Sequence, residues 1–243
     1  MAPSIDWISS LPDAVLCHIL SFLPTKQAVS TSILSKRWTD LWRSVPTLYF
    51  RNIVLNDREA YFRFNEFVYS VLLARSSIKS CILGIWYNDP HLGHLGFPNF
   101  IKWINAVVQR GVERLEFSAG VHDNLKLPIS ILSCRTLVVF KICGFTVKGF
   151  SSITLPSLKI LRLVECTFIN ARDFVLLLAG CPILENLDAS VLEFISKDSL
   201  SYQECQSLDL KKLTIAHMPF TFCHFPLKAL HNVEELYIEI NKV

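Results

Sequence analysis

Apolar side chains recur at helical spacing near the start of the chain. Four of them occupy the i, i+3, i+4 and i+7 positions of one helix face. These are Leu16, Ile19, Leu20 and Leu23. The pattern predicts a helix with Ser10 as its N-cap, in a capping box with Asp13, that ends before Pro24.

Two shorter helical patterns follow before residue 46. We expect Thr25 to cap the first and Ser35 to cap the second. Their apolar positions are Ala28, Val29, Trp38, Leu41 and Trp42. A unit of fewer than about 40 residues seldom buries so many apolar side chains alone. The pattern therefore predicts that this segment binds another protein.

The middle of the chain alternates helical and strand patterns. Residues 57–74 predict a long amphipathic helix, and residues 80–87 a buried strand. The stretch 88–99 contains two prolines and two glycines, so we expect turns there. Helical spacing returns at 100–110, and again at 170–179 after an expected Asn170 N-cap.

A repeated pattern occupies the second half of the chain. Six segments share the order apolar-x-x-apolar-x-apolar, and their first positions are 112, 137, 158, 184, 210 and 233. These intervals of 21 to 26 residues fall within the roughly 20–29 residues of leucine-rich repeats. Each repeat would contribute one strand to a solenoid and bury its leucines against its neighbours.

Strand alternation predicts one exposed column across these repeats. The residue between the last two apolar positions should point away from the core. This column consists of Glu116, Lys141, Arg162, Asp188, Thr214 and Tyr237. We interpret it as the candidate surface for binding a target protein.

Composition limits the function classes. The 243 residues are 51% hydrophobic and 19% charged, with a net charge of +3 and no block of five like charges. A nucleic-acid-binding protein would usually show a basic stripe, so we expect no such partner. We also expect no membrane partner, because no apolar run approaches the length of about 18 residues that a span requires.

Catalytic and cofactor signatures are missing from the sequence. Eight cysteines form no CxxC pair, which favours a reducing compartment, the nucleus and/or the cytoplasm. No phosphate-binding glycine loop, nucleophile elbow or HExxH motif occurs. We therefore expect no enzyme activity, no catalytic residue, no cofactor and no metal site.

The N-terminal residues resemble the plant F-box motif. The matching segments are LP at 11–12, ILSFLP at 19–24, AV at 28–29, LSKRW at 34–38 and LW at 41–42. The following run RSVPTLYF at 43–50 is similar to plant F-box/leucine-rich-repeat (LRR) proteins of the FBD-associated type. Trp7 and Ser30 depart from the residues usual in that family.

The resemblance implies an α+β fold of the α/β solenoid kind. A small three-helix F-box at 5–50 would precede a helical segment at 51–79 and an irregular repeat array at 80–243. The F-box would dock a Skp-type adaptor, and through it a cullin, of an SCF-type ubiquitin ligase. The expected adaptor-binding residues are Leu11, Pro12, Leu16, Ile19, Leu20, Leu23, Pro24, Val29, Leu34, Trp38, Leu41 and Trp42.

The implied function is that of a substrate-recognition subunit that binds a target for ubiquitination. Three alternatives stay open at this point. The repeats could form a small-molecule sensor, the chain could be an enzyme of unrecognised type, or it could be a scaffold without ligase recruitment.

Overall fold

The computed structural model describes residues 7–8, 10–120, 125–196, 200, 208–219 and 227–239. The helices are α1 (Asp13–Ser21), α2 (Thr25–Ser30), α3 (Trp38–Leu41), α4 (Arg58–Leu73), α5 (Pro90–Gln109) and α6 (Ala171–Ala179). Single 3₁₀ turns occur at Thr31–Ile33, Trp42–Ser44, Ile129–Ser133 and Leu227–Leu230. The strands are β1 (Thr47–Leu55), β2 (Ser80–Tyr87), β3 (Arg114–Gly120), β4 (Leu125–Lys126), β5 (Val139–Cys143), β6 (Phe145–Val147), β7 (Ile160–Val164), β8 (Thr167–Phe168), β9 (Asn186–Ser190), β10 (Glu193–Phe194), β11 (Ile215–Pro219) and β12 (Glu235–Glu239).

The three N-terminal helices begin without the predicted side-chain caps. Pro12 is the N-cap of α1, while the Ser10 hydroxyl donates instead to the carbonyl of Trp7 at 2.7 Å. Thr25 is the first residue of α2, and its hydroxyl accepts a hydrogen bond from the backbone N–H of Tyr49 at 2.8 Å. The capping predictions for Ser10, Thr25 and Ser35 are therefore wrong, and Thr25 instead joins the helical segment to β1.

Eight parallel strands form the main sheet, in the order β1-β2-β3-β5-β7-β9-β11-β12. Each is hydrogen-bonded to the next along the chain in this sheet, and because neighbouring strands are parallel, each pair is joined by a crossover connection. Five of the six predicted repeat strands are present at their predicted positions, and the fifth, predicted at 210–215, lies further along the chain as β11. The earlier strand predicted at 80–87 is β2, and it joins the same sheet.

The first strand of the sheet was not predicted. Strand β1 covers residues 47–55, so it begins inside the expected F-box and ends inside the expected helical segment. Its pairing with β2 is interrupted between Phe50 and Ile53 by a bulge, where Asn52 has a positive φ of 59°. The bulge places Arg51 outside the regular ladder.

A second sheet consists of four short parallel strands in the order β10-β8-β6-β4. Each of these strands comes directly after a main-sheet strand along the chain. The residue after β5, β7 and β9 adopts a left-handed backbone in each case, at Gly144, Glu165 and Val191. This repeated corner carries the chain from the main sheet into the second sheet. Glycine adopts that conformation without strain, whereas valine does so at a steric cost.

The predicted turn region at 88–99 is helical instead. Helix α5 begins at Pro90, and the Asp89 carboxylate caps it by accepting from the N–H of His91 at 2.9 Å. Pro98 lies inside this helix. The buried side chains of Leu92 and Phe100 anchor both ends of the stretch, so tertiary packing outweighs the local turn signals.

The other helix predictions are confirmed. Asp57 caps α4 by accepting from the N–H of Ala60 at 2.8 Å. Asn170 caps α6 by accepting from the N–H of Asp173 at 2.9 Å, and Gly180 follows its last residue.

One hydrophobic core runs from α1 to the last repeats. Arg75 lies where the three N-terminal helices, α1 to α3, meet the sheet. Its buried guanidinium donates to the carbonyls of Val45 at 2.9 Å and Thr47 at 2.6 Å. It also lies 5.6 Å from the centre of the Trp42 ring. Burial lowers the pKa of Arg75 to about 10, so it is charged at neutral pH. The three N-terminal helices are therefore joined to the sheet by apolar packing and by the contacts of Arg75.

Candidate functional site

Helix α1 is apolar on two faces. Leu16 and Leu20 are buried in the core, whereas Val15, Ile19 and Phe22 are exposed. The exposed three are spaced i, i+4 and i+7, which places them on one side of the helix. We call Val15, Ile19 and Phe22 the α1 stripe.

The structure divides the expected adaptor-binding residues into two groups. Five side chains lie in the chain's own core. These are Leu16, Leu20, Trp38, Leu41 and Trp42. Their burial follows from the small size of the segment, which needs its largest side chains for its own core.

The remaining expected residues reach the surface. Ile19, Leu34 and Pro12 are exposed, and four others are partly buried. The partly buried side chains are Leu11, Leu23, Pro24 and Val29.

Five exposed apolar side chains of the N-terminal segment were not predicted to bind a partner, and Trp7 and Ile8 are two of them. The other three lie on α1, at its C-terminal end, or in the turn after α2. They are Val15, Phe22 and Ile33, and Ile33 is 86% exposed. The spacing of Val15, Ile19 and Phe22 could have identified the stripe, because it repeats at the helical period as clearly as the buried set does. The sequence pattern alone did not show which of the two faces is buried within the chain.

Arg37 connects the exposed loop after Leu34 to the start of α1. Its guanidinium binds the Asp13 carboxylate at 2.5 Å and donates to the carbonyl of Leu11. Both charged groups are substantially exposed, so the contact stabilises little. It holds the loop that carries Ile33 and Leu34 beside the helix that carries the α1 stripe.

The second candidate surface is the face of the main sheet that carries the predicted column, which we call the open face. Glu116, Lys141, Arg162 and Asp188 are aligned across β3, β5, β7 and β9, as predicted. The predicted position of Thr214 is wrong. His217 pairs with Asp188 in the ladder, and Tyr237 pairs with His217.

The error at Thr214 comes from a repeat whose frame is shifted by three residues. Leu213, Ala216 and Met218 occupy the apolar positions of this repeat, because Ala216 pairs with both Leu187 and Leu236. Leu210 and Leu213 are both buried, so either could begin the pattern. Because Ala216 has a small side chain, the sequence pattern did not identify it as an apolar position of the fifth repeat.

Glu116 is the centre of a charged cluster on the open face. Its side chain is 9% exposed, and its carboxylate binds Arg114 at 2.5 Å, Lys141 at 3.1 Å and Arg51 at 3.3 Å. Burial alone would raise the pKa of the Glu116 carboxyl. The hydrogen bonds and charges of Lys141 and Arg114 outweigh that effect and lower the pKa below its usual value. The carboxylate is therefore ionised at neutral pH.

A second cluster surrounds Asp188. Its carboxylate binds the Nε of Arg162 at 2.9 Å and the Nδ1 of His217 at 3.2 Å, and it accepts a hydrogen bond from the Ser190 hydroxyl at 2.6 Å. The serine donates to the aspartate here rather than to the histidine. This arrangement is that of an ion-pair network and not of a nucleophile activated by a base.

A cavity of about 280 Å³ opens on this face between the two clusters. Arg51, Glu116, Lys141 and Arg162 contribute its charged lining. Gly84 also lines it, and a Cβ there would lie 3.3 Å from the backbone nitrogen of Asn52. The lack of a side chain at Gly84 lets the bulge of β1 approach, and Arg51 reaches the cavity from that bulge.

The cysteines with the largest pKa shifts are unsuited to nucleophilic chemistry. Burial raises the pKa of Cys81, Cys166 and Cys181 to about 12 in each case. A thiol with so high a pKa holds almost no thiolate at neutral pH. These three residues pack in the core.

The described residues contain neither a cluster of metal ligands nor a membrane-spanning helix. The described part of the chain brings no three potential metal ligands among His, Cys, Asp and Glu together. Within that part, none of the helices combines the length and the apolar character needed to cross a bilayer.

Comparisons with known proteins match two separate parts of the chain. The family model of the F-box domain matches residues 8–49. A family model described as the LRR repeats of the FBD-associated F-box protein At5g56370 matches residues 100–238.

Relatives from Arabidopsis thaliana show the same combination. F-box/LRR-repeat protein 13 is 36% identical over 190 residues, which cover 75% of this chain and 40% of that protein. F-box/LRR-repeat protein At4g14096 is 35% identical over 216 residues, covering 87% of this chain and 45% of the relative. FBD-associated F-box protein At1g66310 is 32% identical over 188 residues, covering 75% and 40%. The chain thus spans less than half the length of these three relatives.

Proposed function

Because this chain belongs to the plant F-box/LRR-repeat proteins of the FBD-associated type, we propose that it is the substrate-recognition subunit of an SCF-type cullin ubiquitin ligase. The F-box domain generally binds Skp-type adaptors. In this proposal the N-terminal helices dock such an adaptor, in the nucleus and/or the cytoplasm, and a curved solenoid of repeats holds the target on its open face.

The observation that carries the adaptor half of the proposal is the exposed α1 stripe. Val15, Ile19 and Phe22 lie on the surface of a segment whose large leucines and tryptophans already fill its core. Burying one such side chain in an interface contributes about 1.5–3 kcal/mol. Together with the exposed Ile33 and Leu34, the stripe supplies the apolar centre that a stable protein interface requires.

The chain's part in ubiquitination is to hold the target near the ligase. No step of the transfer then uses a side chain of this protein. Binding both adaptor and target raises the effective concentration of target lysines near a ubiquitin-charged enzyme recruited elsewhere in the complex. Such a role depends on a fixed geometry between the two binding surfaces.

The joint at Arg75 supports that fixed geometry. The buried guanidinium donates to the carbonyls of Val45, just before β1, and of Thr47, the first residue of β1, and the Trp42 ring packs against it. A rigid connection limits the positions that a bound target can occupy relative to the adaptor.

The adaptor surface is tested with a double variant, Ile19→Ala with Phe22→Ala. We expect it to weaken binding to a purified Skp-type adaptor by at least about tenfold, measured by isothermal titration calorimetry, because two buried apolar contacts are lost. Its melting temperature should stay close to that of the unchanged chain, since both side chains are exposed.

A matched control removes apolar surface elsewhere. Phe62→Ala with Leu73→Ala truncates two exposed side chains on α4 and should leave adaptor affinity unchanged. Equal affinity of the test and control variants for the adaptor would refute docking through the α1 stripe.

A further inference from the structure

The open-face cavity carries more positive than negative charge. Arg51, Lys141 and Arg162 line it, and the Glu116 carboxylate is the one acidic side chain in its lining. Arg114 adds a further cation against the same carboxylate. The single carboxylate in the lining balances one of these four positive charges.

Neighbouring acidic groups do not remove this excess. Asp188 binds Arg162 but also takes contacts from His217 and Ser190. Glu165 lies beside the rim, where its carboxylate is 3.8 Å from the Cys143 sulfur. With both acids counted, four cations still face three carboxylates.

The cations are held in place before any ligand arrives. Arg114 and Lys141 bind the same oxygen of Glu116, and Arg51 binds the other. A buried carboxylate therefore keeps like charges close together that would otherwise repel each other. Arg162 uses its Nε for Asp188, and a guanidinium has five N–H donors. Preorganised donors of this kind lose little entropy on binding an anion.

The size of the cavity limits what it can hold. Its volume of about 280 Å³ is just below the range of about 300–1,000 Å³ found for small-molecule pockets. A single acidic side chain or a phosphorylated one fits such a space better than a complete drug-sized ligand does. This favours a group carried by a protein over a free effector.

We propose that this cavity receives an anionic group, a carboxylate or a phosphate, on the target protein. The inference rests on the proposed function, since it names the chemistry by which the open face would recognise its target. Charge-assisted and bidentate hydrogen bonds from the arginines would hold the group. The rest of the target would lie along the exposed column toward His217 and Tyr237.

The test uses the whole chain and immobilised peptide libraries that have random flanks and one fixed central residue. The central residue is phosphoserine in one library, glutamate in a second and glutamine in a third. We expect retention on the phosphoserine and glutamate libraries to exceed retention on the glutamine library by about tenfold or more. The difference should shrink in high salt, because screening shortens the range of the attraction.

Two variants and one control assign the effect to the cavity. Lys141→Gln with Arg162→Gln should abolish the preference for anionic peptides. Arg51→Gln should weaken the preference for anionic peptides. Because Arg51 is half exposed on the bulge, this variant should disturb folding less than the double variant does. The control Lys159→Gln removes one positive charge from a surface pair with Glu185, outside the lining, and should retain the preference.

Several outcomes would overturn the inference. They are equal retention on all three libraries, loss of the preference in Lys159→Gln as well, and binding of inorganic phosphate with no binding of either anionic library. Adaptor affinity measured on the same preparations separates this failure from failure of the proposed function. A chain that binds the adaptor but prefers no anionic peptide refutes only the cavity assignment, whereas a chain that binds no adaptor refutes the ligase role.

Discussion

At the scale of single residues, burial decides which apolar and charged side chains are structural. Ile19 and Leu20 are neighbours in sequence, yet one is 44% exposed and the other 2%. Leu20 belongs to the core and Ile19 to the surface proposed for the adaptor. The same distinction separates Glu116, which is buried among cations, from Glu113, which pairs with Lys79 in solvent.

The buried position of Glu116 predicts a pH-dependent contribution to stability. Its folded pKa lies below the ordinary value of 4.5, so the ionised carboxylate stabilises the native state above about pH 4.5. That contribution is lost as pH falls through the lowered folded pKa. Glu116→Gln should therefore reduce the free energy of unfolding at pH 7 by about 1–3 kcal/mol.

Urea denaturation at pH 7 and at pH 3 measures this effect. The difference between the unchanged chain and Glu116→Gln should be smaller at pH 3 than at pH 7, because the stabilising contribution declines as pH falls below the ordinary pKa of 4.5. Glu113→Gln is the matched control, and its effect should stay within about 1 kcal/mol because its ion pair is exposed. An equal effect of Glu116→Gln at both pH values would show that charge is not the reason for its stabilising role.

At the scale of secondary-structure elements, periodicity predicted most of the fold. Five of the six repeat strands, α4 and α6 follow from apolar spacing, and the start of α6 also follows from its capping residue Asn170. Local signals failed where packing between distant segments decides the structure. Strand β1 has no repeat of its own to identify it, and α5 contains glycine and proline that usually indicate turns.

The candidate surfaces were predictable to a smaller extent. Alternation identified the residues of the open-face column at Glu116, Lys141 and Arg162, because each neighbouring residue is plainly apolar. The expectation that the whole column is exposed is wrong at Glu116, which its neighbouring cations bury. It could not supply Arg51, which reaches the cavity only through the bulge of β1. It also could not place His217, because Ala216 does not look like a core position of the repeat.

Pro98 in α5 allows a direct test of the helix that the sequence did not predict. Proline inside a helix lacks the N–H of one hydrogen bond and crowds the preceding turn, at a cost of about 3 kcal/mol relative to alanine. Pro98→Ala should therefore raise the free energy of unfolding, by up to about 3 kcal/mol, in urea denaturation followed by circular dichroism.

Pro90 provides the control for that measurement. It is the first residue of the same helix, where no backbone N–H is needed, so Pro90→Ala should change stability by less than about 0.5 kcal/mol. If Pro98→Ala instead destabilised the chain, residues 90–98 would not form a continuous helix with 99–109.

At the scale of the whole molecule, the helical segment and the repeat sheet share one core. Buried residues form a continuous cluster from Leu16 in α1 to Ala229 near the last strand. The sheet also begins at Thr47, inside the stretch that the F-box family model matches. The regions matched by the two family models therefore share one hydrophobic core and do not form two separate structural domains.

This continuity predicts that removing the N-terminal helices destabilises the repeats. A chain that begins at residue 47 keeps β1 but loses Trp42 and the Val45 carbonyl, so the buried Arg75 loses its ring contact and one acceptor. We expect its free energy of unfolding to fall by at least about 2 kcal/mol relative to the whole chain, measured by urea denaturation. A deletion through residue 50 would also remove half of an outer strand.

The comparison variant keeps every buried contact. Ile19→Ala with Phe22→Ala alters only exposed side chains, so its unfolding midpoint should match that of the whole chain. Loss of target binding in the truncated chain would reflect a damaged sheet as well as a missing adaptor surface. The surface variant removes only the adaptor surface, so it separates the structural role of the N-terminal helices from their adaptor-binding role. If the truncated chain were as stable as the whole chain, the helical segment would be an independent appendage, and the target's position relative to the adaptor would not be set by a shared core.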